Sequence, residues 1–155
     1  MSSQRAQANH SLYLAKIQLA AWREQRAQEQ IPATVLSQAF LPAIRHHLVE
    51  AYGWFLLNLI DVEAADGTPP VSVDTLPPIP PGKALPGDLN ELRRLEQSGW
   101  LADLLAPVRR DAASPSSAAN LAVAGPATPG PDDVAAWCSA MGEVIDRIGD
   151  TLDES

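Results

Sequence analysis

From Gln4 to Gln30 the chain contains no glycine or proline and is built largely from Ala, Gln, Arg, Leu and Glu, all good helix formers. Ala8, Leu12, Ala15, Leu19 and Trp22 recur at alternating four- and three-residue steps and so share one face, while Arg5, Gln18, Glu24, Gln25 and Gln28 fall elsewhere. The pattern predicts a first helix over about residues 4–30. Ile31-Pro32-Ala33 ends it, because the residue before a proline is steered out of the α region. The connection is short, so a second helix over about 34–62 is expected to fold back antiparallel. Pro42 implies a kink, or a short helix ending near Phe40 with a new one opened by Pro42.

Leu41, Ile44, Leu48, Ala51, Phe55, Leu59 and Val62 form one stripe of this second helix. Tyr52, Trp54, Leu56, Leu57 and Ile60 make its second half apolar almost all round. Such a helix is either central or covered by a partner. Gly53 within the run costs about 1 kcal/mol against alanine, which suggests a close helix–helix approach there.

Pro69 to Pro86 holds seven of the chain's fourteen prolines and predicts a long Pro-rich loop, residues 66–87. Val71, Val73, Leu76, Ile79 and Leu85 give that loop enough apolar surface to pack onto the helices. Asp88-Leu89-Asn90-Glu91 carries the Asp-x-x-Glu capping signature. It opens a third helix over about 88–110, with Leu89, Leu92 and Leu95 on one side, a break near Gly99, and Trp100, Leu101, Leu104, Leu105 and Val108 continuing the apolar face. Residues 113–131 are rich in Pro, Ser and Ala without periodicity and read as a flexible linker. The last helix, about 132–153, opens at Pro131-Asp132-Asp133 and has Val134, Trp137, Met141, Val144, Ile145, Ile148 and Leu152 in its stripe. Together these elements predict one all-α domain spanning 1–155, resembling an up-down four-helix bundle with the Pro-rich loop between its second and third helices.

At 155 residues, 46% hydrophobic, one modest core is expected, with roughly 68–70% of the unfolded surface buried. The four tryptophans are natural core anchors. A single cysteine, Cys138, excludes an internal disulfide framework and suits a reducing compartment. With no apolar leader at the N-terminus, and an apolar run from Tyr52 to Ile60 far shorter than the roughly 20 residues of a spanning helix, the expectation is a cytoplasmic protein with no membrane segment. The net charge is −8, made of +2 over residues 1–60 and −10 over the remainder. That balance weighs against a nucleic-acid partner, which would need a local basic face such as Arg5, Lys16, Arg23 and Arg26.

Candidate chemistry is sparse. His46 and Glu50 stand four apart on the second helix, beside His47, and His10 could join from the first. This is the best metal proposal, but the later helices offer no histidine, and an ordinary surface pair is the simpler reading. Arg5-Ala6-Gln7-Ala8-Asn9-His10 resembles the Arg-x4-His motif of HEPN-type ribonucleases, departing from it at Ala6, where that family usually has a polar residue. The resemblance implies His10 as general acid/base and Arg5 as phosphate holder in a dimeric helical bundle. Cys138, between Trp137 and Met141, reads as a small buried apolar residue. No Gly-rich phosphate loop or Gly-x-Ser-x-Gly elbow is present. No catalytic residue, metal ligand or cofactor is therefore assigned.

The segments Ser3-Gln4-Arg5-Ala6-Gln7-Ala8-Asn9-His10, Ala39-Phe40-Leu41-Pro42-Ala43-Ile44-Arg45 with Ala51-Tyr52-Gly53-Trp54-Phe55-Leu56-Leu57, and Gly99-Trp100-Leu101-Ala102-Asp103-Leu104-Leu105 together resemble a small family of bacterial cytoplasmic helical proteins, a domain of unknown function. That resemblance implies a bacterial helical protein and transfers no catalytic residue. The resulting expectation is a non-enzymatic interaction, regulatory or accessory protein. It would engage a protein partner, or a second copy of itself, through an apolar helix face with Tyr52, Trp54, Phe55 and Trp100 as candidate contacts. The competing class is a HEPN-like ribonuclease or metal-assisted hydrolase using Arg5 and His10, or His46 and Glu50.

Overall fold

A computed structural model describes residues 3–78, 87–106 and 128–154. All regular structure among them is helical: α1 is Ser3–Gln28, α2 Ala33–Ile60, α3 Asp88–Gln97, α4 Trp100–Leu105 and α5 Pro131–Glu154, with 3₁₀ turns at Ala65–Gly67 and Val73–Thr75. Residues 79–86 of the Pro-rich loop, 107–110 of the expected third helix and most of the expected 113–131 linker lie outside the described residues.

α1 and α2 pack along each other through their apolar faces. Trp22 stacks on Phe40 with ring centroids 6.2 Å apart and planes within 7°. Near the opposite end the Gln4 side chain donates to the Val62 carbonyl at 3.3 Å, so the two helices fold back on one another. Their ends are set by local geometry. Glu29 and Asp61, each with φ +54°, take the left-handed conformation that terminates a helix, although neither is glycine. The amides of Val35 and Leu36 bond back to the Pro32 carbonyl at 3.0 and 3.1 Å, starting α2 one residue after the proline.

Two details differ from the sequence pattern. Pro42 neither ends nor restarts a helix; it lies within continuous α2, on an exposed side where the carbonyl left without its amide donor can meet water. At the start of α3, Asp88 is the first helical residue rather than the cap, Gly87 taking the capping position. Glu91 instead accepts from Arg147 of α5 at 2.8 Å. The break near Gly99 is present, with Gly99 at φ +115° between α3 and α4, a conformation that favours glycine.

The core is continuous through all five helices. Ala8, Leu12, Ala15, Leu19 and Trp22 of α1 meet Ile44, Leu48, Ala51 and Phe55 of α2; Leu89, Leu92, Leu101 and Leu104 come from α3 and α4, and Val134, Trp137, Met141, Val144, Ile145 and Ile148 from α5. The segment after α2 crosses back over that helix. A Cβ built on Gly53 would lie 2.1 Å from the Pro70 carbonyl oxygen and 2.8 Å from the Pro69 Cβ. The close approach at this glycine is thus made by the proline segment's backbone, not by a neighbouring helix. Val73 is buried and Leu76 half-buried against the core, while Val71 points to solvent.

Phe55 is fully buried, so Phe55→Ala is expected to lower the unfolding free energy by about 3–5 kcal/mol. Val71→Ala, at an exposed position, should change it by no more than about 0.5 kcal/mol; urea unfolding of the two variants measures the contrast.

Candidate functional site

The Arg5/His10 pair does not converge. Residues five apart on an α-helix point about 140° away from each other, and here Arg5 is buried while His10 is exposed. The Arg5 guanidinium reaches Asp150 at 2.8 Å and lies 4.0 Å from Asp146, both on α5. Gly149 makes the approach possible, since a Cβ there would be 2.9 Å from the Arg5 Cζ. Arg5 therefore belongs to the buried side of α1, three residues before Ala8, and its placement off the apolar stripe is corrected. The charge expected to hold a phosphate neutralises carboxylates of the same chain.

The second chemical candidate is likewise a pair without a centre. His46 Nε2 and Glu50 Oε1 stand 3.2 Å apart, four residues apart on α2, with the His46 side chain largely in water. The His47 ring lies 5.6 Å from that of His46, centroid to centroid, tilted by 59°. No group of three or more His, Cys, Asp or Glu side chains able to hold a metal ion occurs among the described residues. Cys138 is buried; desolvation pushes its thiol pKa up against the weaker opposing influence of Lys16 and Arg23, the reverse of what activates a thiolate.

The four aromatic candidates divide by burial. Tyr52 and Phe55 are interior, and this moves them from an interaction surface into the core. Trp54 and Trp100 are half-buried and pack against it. The physical reason is that the chain itself covers the apolar run of α2. Tyr52 marks the point at which α2, α3 and the proline segment meet: its hydroxyl donates to Glu96 Oε2 at 2.5 Å, and the same oxygen accepts the Val73 amide at 2.9 Å. Burial, then the Glu96 hydrogen bond and charge, drive the Tyr52 phenol pKa well above its ordinary value. Glu96 carries a signal in the sequence. It follows Leu89 by seven and Leu92 by four, placing an acid on the apolar side of α3.

Arg45 is a second polar tie that the sequence pattern missed. It donates from Nε to the Leu104 carbonyl at 2.5 Å and from its terminal nitrogen to the Ala106 carbonyl, satisfying acceptors that the end of α4 leaves open. Partial burial lowers its pKa from the usual arginine value. Besides Val71, the large apolar side chains open to solvent among the described residues include two on α1: Tyr13 is 61% and Ile17 49% exposed, one helical turn apart. Ile31 and Val35 add exposed apolar surface around the α1–α2 turn.

No family model, curated protein or solved structure matches this chain. None of the described helices is long and apolar enough to cross a membrane.

Tyr52 supplies a testable pH dependence. Its phenol is held neutral in the folded chain, whereas in the unfolded chain it ionises around pH 10. The contribution is therefore complete below about pH 10 and is lost as pH rises beyond that value. Replacing Tyr52 by Phe should flatten the alkaline fall in stability by about 1.4 kcal/mol per pH unit, measured by denaturant unfolding at a series of alkaline pH values. An unchanged slope would show that the phenol ionises equally in both states.

Proposed function

We propose that this chain is a non-enzymatic accessory or regulatory protein of the bacterial cytoplasm that works by contact with a protein partner through an apolar helix face. The architecture this reading uses is an up-down four-helix bundle, with α3 and α4 together serving as its third helix. Contacts at both ends support the arrangement: Arg23 near the end of α1 meets Asp132 at the start of α5 at 3.2 Å, and Arg5 near the start of α1 meets Asp150 near the end of α5 at 2.8 Å.

The observation that carries the reading is the pair Tyr13 and Ile17. Two large apolar side chains, one helical turn apart, stand in solvent on the outer side of α1, whereas the apolar run of α2 is enclosed by the chain itself. Helix-in-groove recognition uses anchors at this spacing, and tyrosine is enriched among residues that dominate interface energetics. The acid/base candidates give the enzyme class no matching support, because Arg5 is engaged by α5 and His46 by Glu50.

The test is affinity capture with wild-type protein and with Tyr13→Glu/Ile17→Glu. Both positions are exposed, so circular dichroism should remain that of the wild type. A protein captured by the wild type and lost, at least about tenfold in affinity, by the double variant supports the reading. Retention of that partner by the double variant overturns it. So does co-purifying RNA or metal that disappears with His10→Ala or His46→Ala.

A further inference from the structure

The segment that follows α2 is attached at two separate places, and each attachment has a specific chemistry. At the first, the backbone of Pro69–Pro70 occupies the space a side chain would need at position 53. Proline lacks an amide donor and is conformationally restricted, so this stretch reaches Gly53 without leaving an N–H against an apolar helix. At the second, the Val73 amide donates to Glu96 Oε2 at 2.9 Å. Between and beyond them the segment closes on itself. Thr75 Oγ1 accepts the amides of Val71 and Ser72, each at 3.1 Å, and the Thr75 hydroxyl donates to the Ser72 carbonyl at 3.0 Å.

We propose that residues 69–76 form a latched strap that lifts from α2 as one unit, seated at Gly53 and held shut by the Glu96 carboxylate. Internal closure makes the strap a piece that moves without unravelling. Among the described residues its seats are a glycine notch, a charge-assisted hydrogen bond, the buried Val73 side chain and the half-buried Leu76. A further charged contact, Arg93 with Asp74 at 4.0 Å between exposed side chains, is screened by solvent and adds little. The helical core below is held by far more buried surface than this strap, so strap opening is the lower-energy event. Because Glu96 Oε2 serves Val73 and Tyr52 together, lifting the strap uncovers the Tyr52 phenol. Among the described residues, the charged group set against that phenol is Glu96 on α3. The device concerns the fold's own mobility and does not depend on which partner α1 engages.

The decisive experiment disturbs one attachment and reads the other. Gly53→Ala places a Cβ where Pro70 oxygen lies 2.1 Å away, yet alanine is the better helix former, so α2 itself is not weakened. In this variant the Val73 amide is expected to exchange with solvent roughly 10- to 100-fold faster, while the amides of Leu48 and Ile145 stay protected. With Tyr13→Phe as background, leaving Tyr52 as the chain's one tyrosine, the tyrosinate absorbance midpoint should move down toward the ordinary phenol range of about 10. Val73 protection equal to that of the parent overturns the proposal, as does loss of protection at Val73, Leu48 and Ile145 together. Should Gly53→Ala fail to fold, Glu96→Gln decides: faster exchange confined to the strap, with Leu48 and Ile145 still protected, sustains it, and global loss or no change overturns it.

Discussion

A helix that is apolar on nearly every side must be covered on every side, and the second half of α2 imposes that condition on the rest of the chain. α1 covers one flank, α3, α4 and α5 contribute the leucines, isoleucines and aromatics of the shared core, and the segment after α2 returns across Gly53. The last element is needed because three flanking helical layers do not enclose a cylinder whose outer side is also apolar. Without a side chain at position 53, backbone can lie directly against backbone. Prolines suit the task because each removes a donor that would otherwise be desolvated there.

The polar contacts are arranged around this apolar condition. Arg5 joins α1 to the end of α5, Arg23 joins α1 to its start, and Arg147 joins α5 to α3 through Glu91. The charge asymmetry of the sequence, positive over residues 1–60 and acidic beyond, thereby becomes in part an attraction between α1 and α5. Arg23 and Arg147 are substantially exposed with exposed partners, so they contribute little energy and serve mainly to fix register. Arg5 differs because its guanidinium is buried against Gly149.

The parts legible in the sequence were those written in repeated signals. The periodic stripe of α1 and that of α5 from Val134 to Ile148 recur as buried residues, and Ser98-Gly99 breaks the third helical stretch. The parts missed depend on single residues whose partners are distant in sequence. Gly53 shows only that something approaches closely; that the visitor is Pro69–Pro70 needs the return path of the chain. Glu91 looks like half of a local capping box, yet its hydrogen bond goes to Arg147, fifty-six positions away. Arg5 reads as a solvated charge or a phosphate ligand until Gly149 and Asp150 stand beside it. Burial of the Tyr52–Ile60 run could not be read from its hydrophobicity, because an apolar helix face looks the same whether its own chain or another covers it.

The two classes of function place different demands on these side chains. Acid–base chemistry requires a group that is held in position by its surroundings but still has a proton or lone pair to exchange with a substrate. Arg5 is positioned but committed to carboxylates, Tyr52 is positioned but kept protonated beside Glu96, and Cys138 is buried with its thiol form favoured. His10 and His46 have the opposite character, solvent-accessible on helix surfaces without convergence onto a shared metal-binding cluster among the described residues. A contact protein has neither requirement. The proposed contact role draws on apolar side chains left over after the core is complete: the inner face of α1 is buried from Gln4 to Trp22, while Tyr13 and Ile17 remain outside.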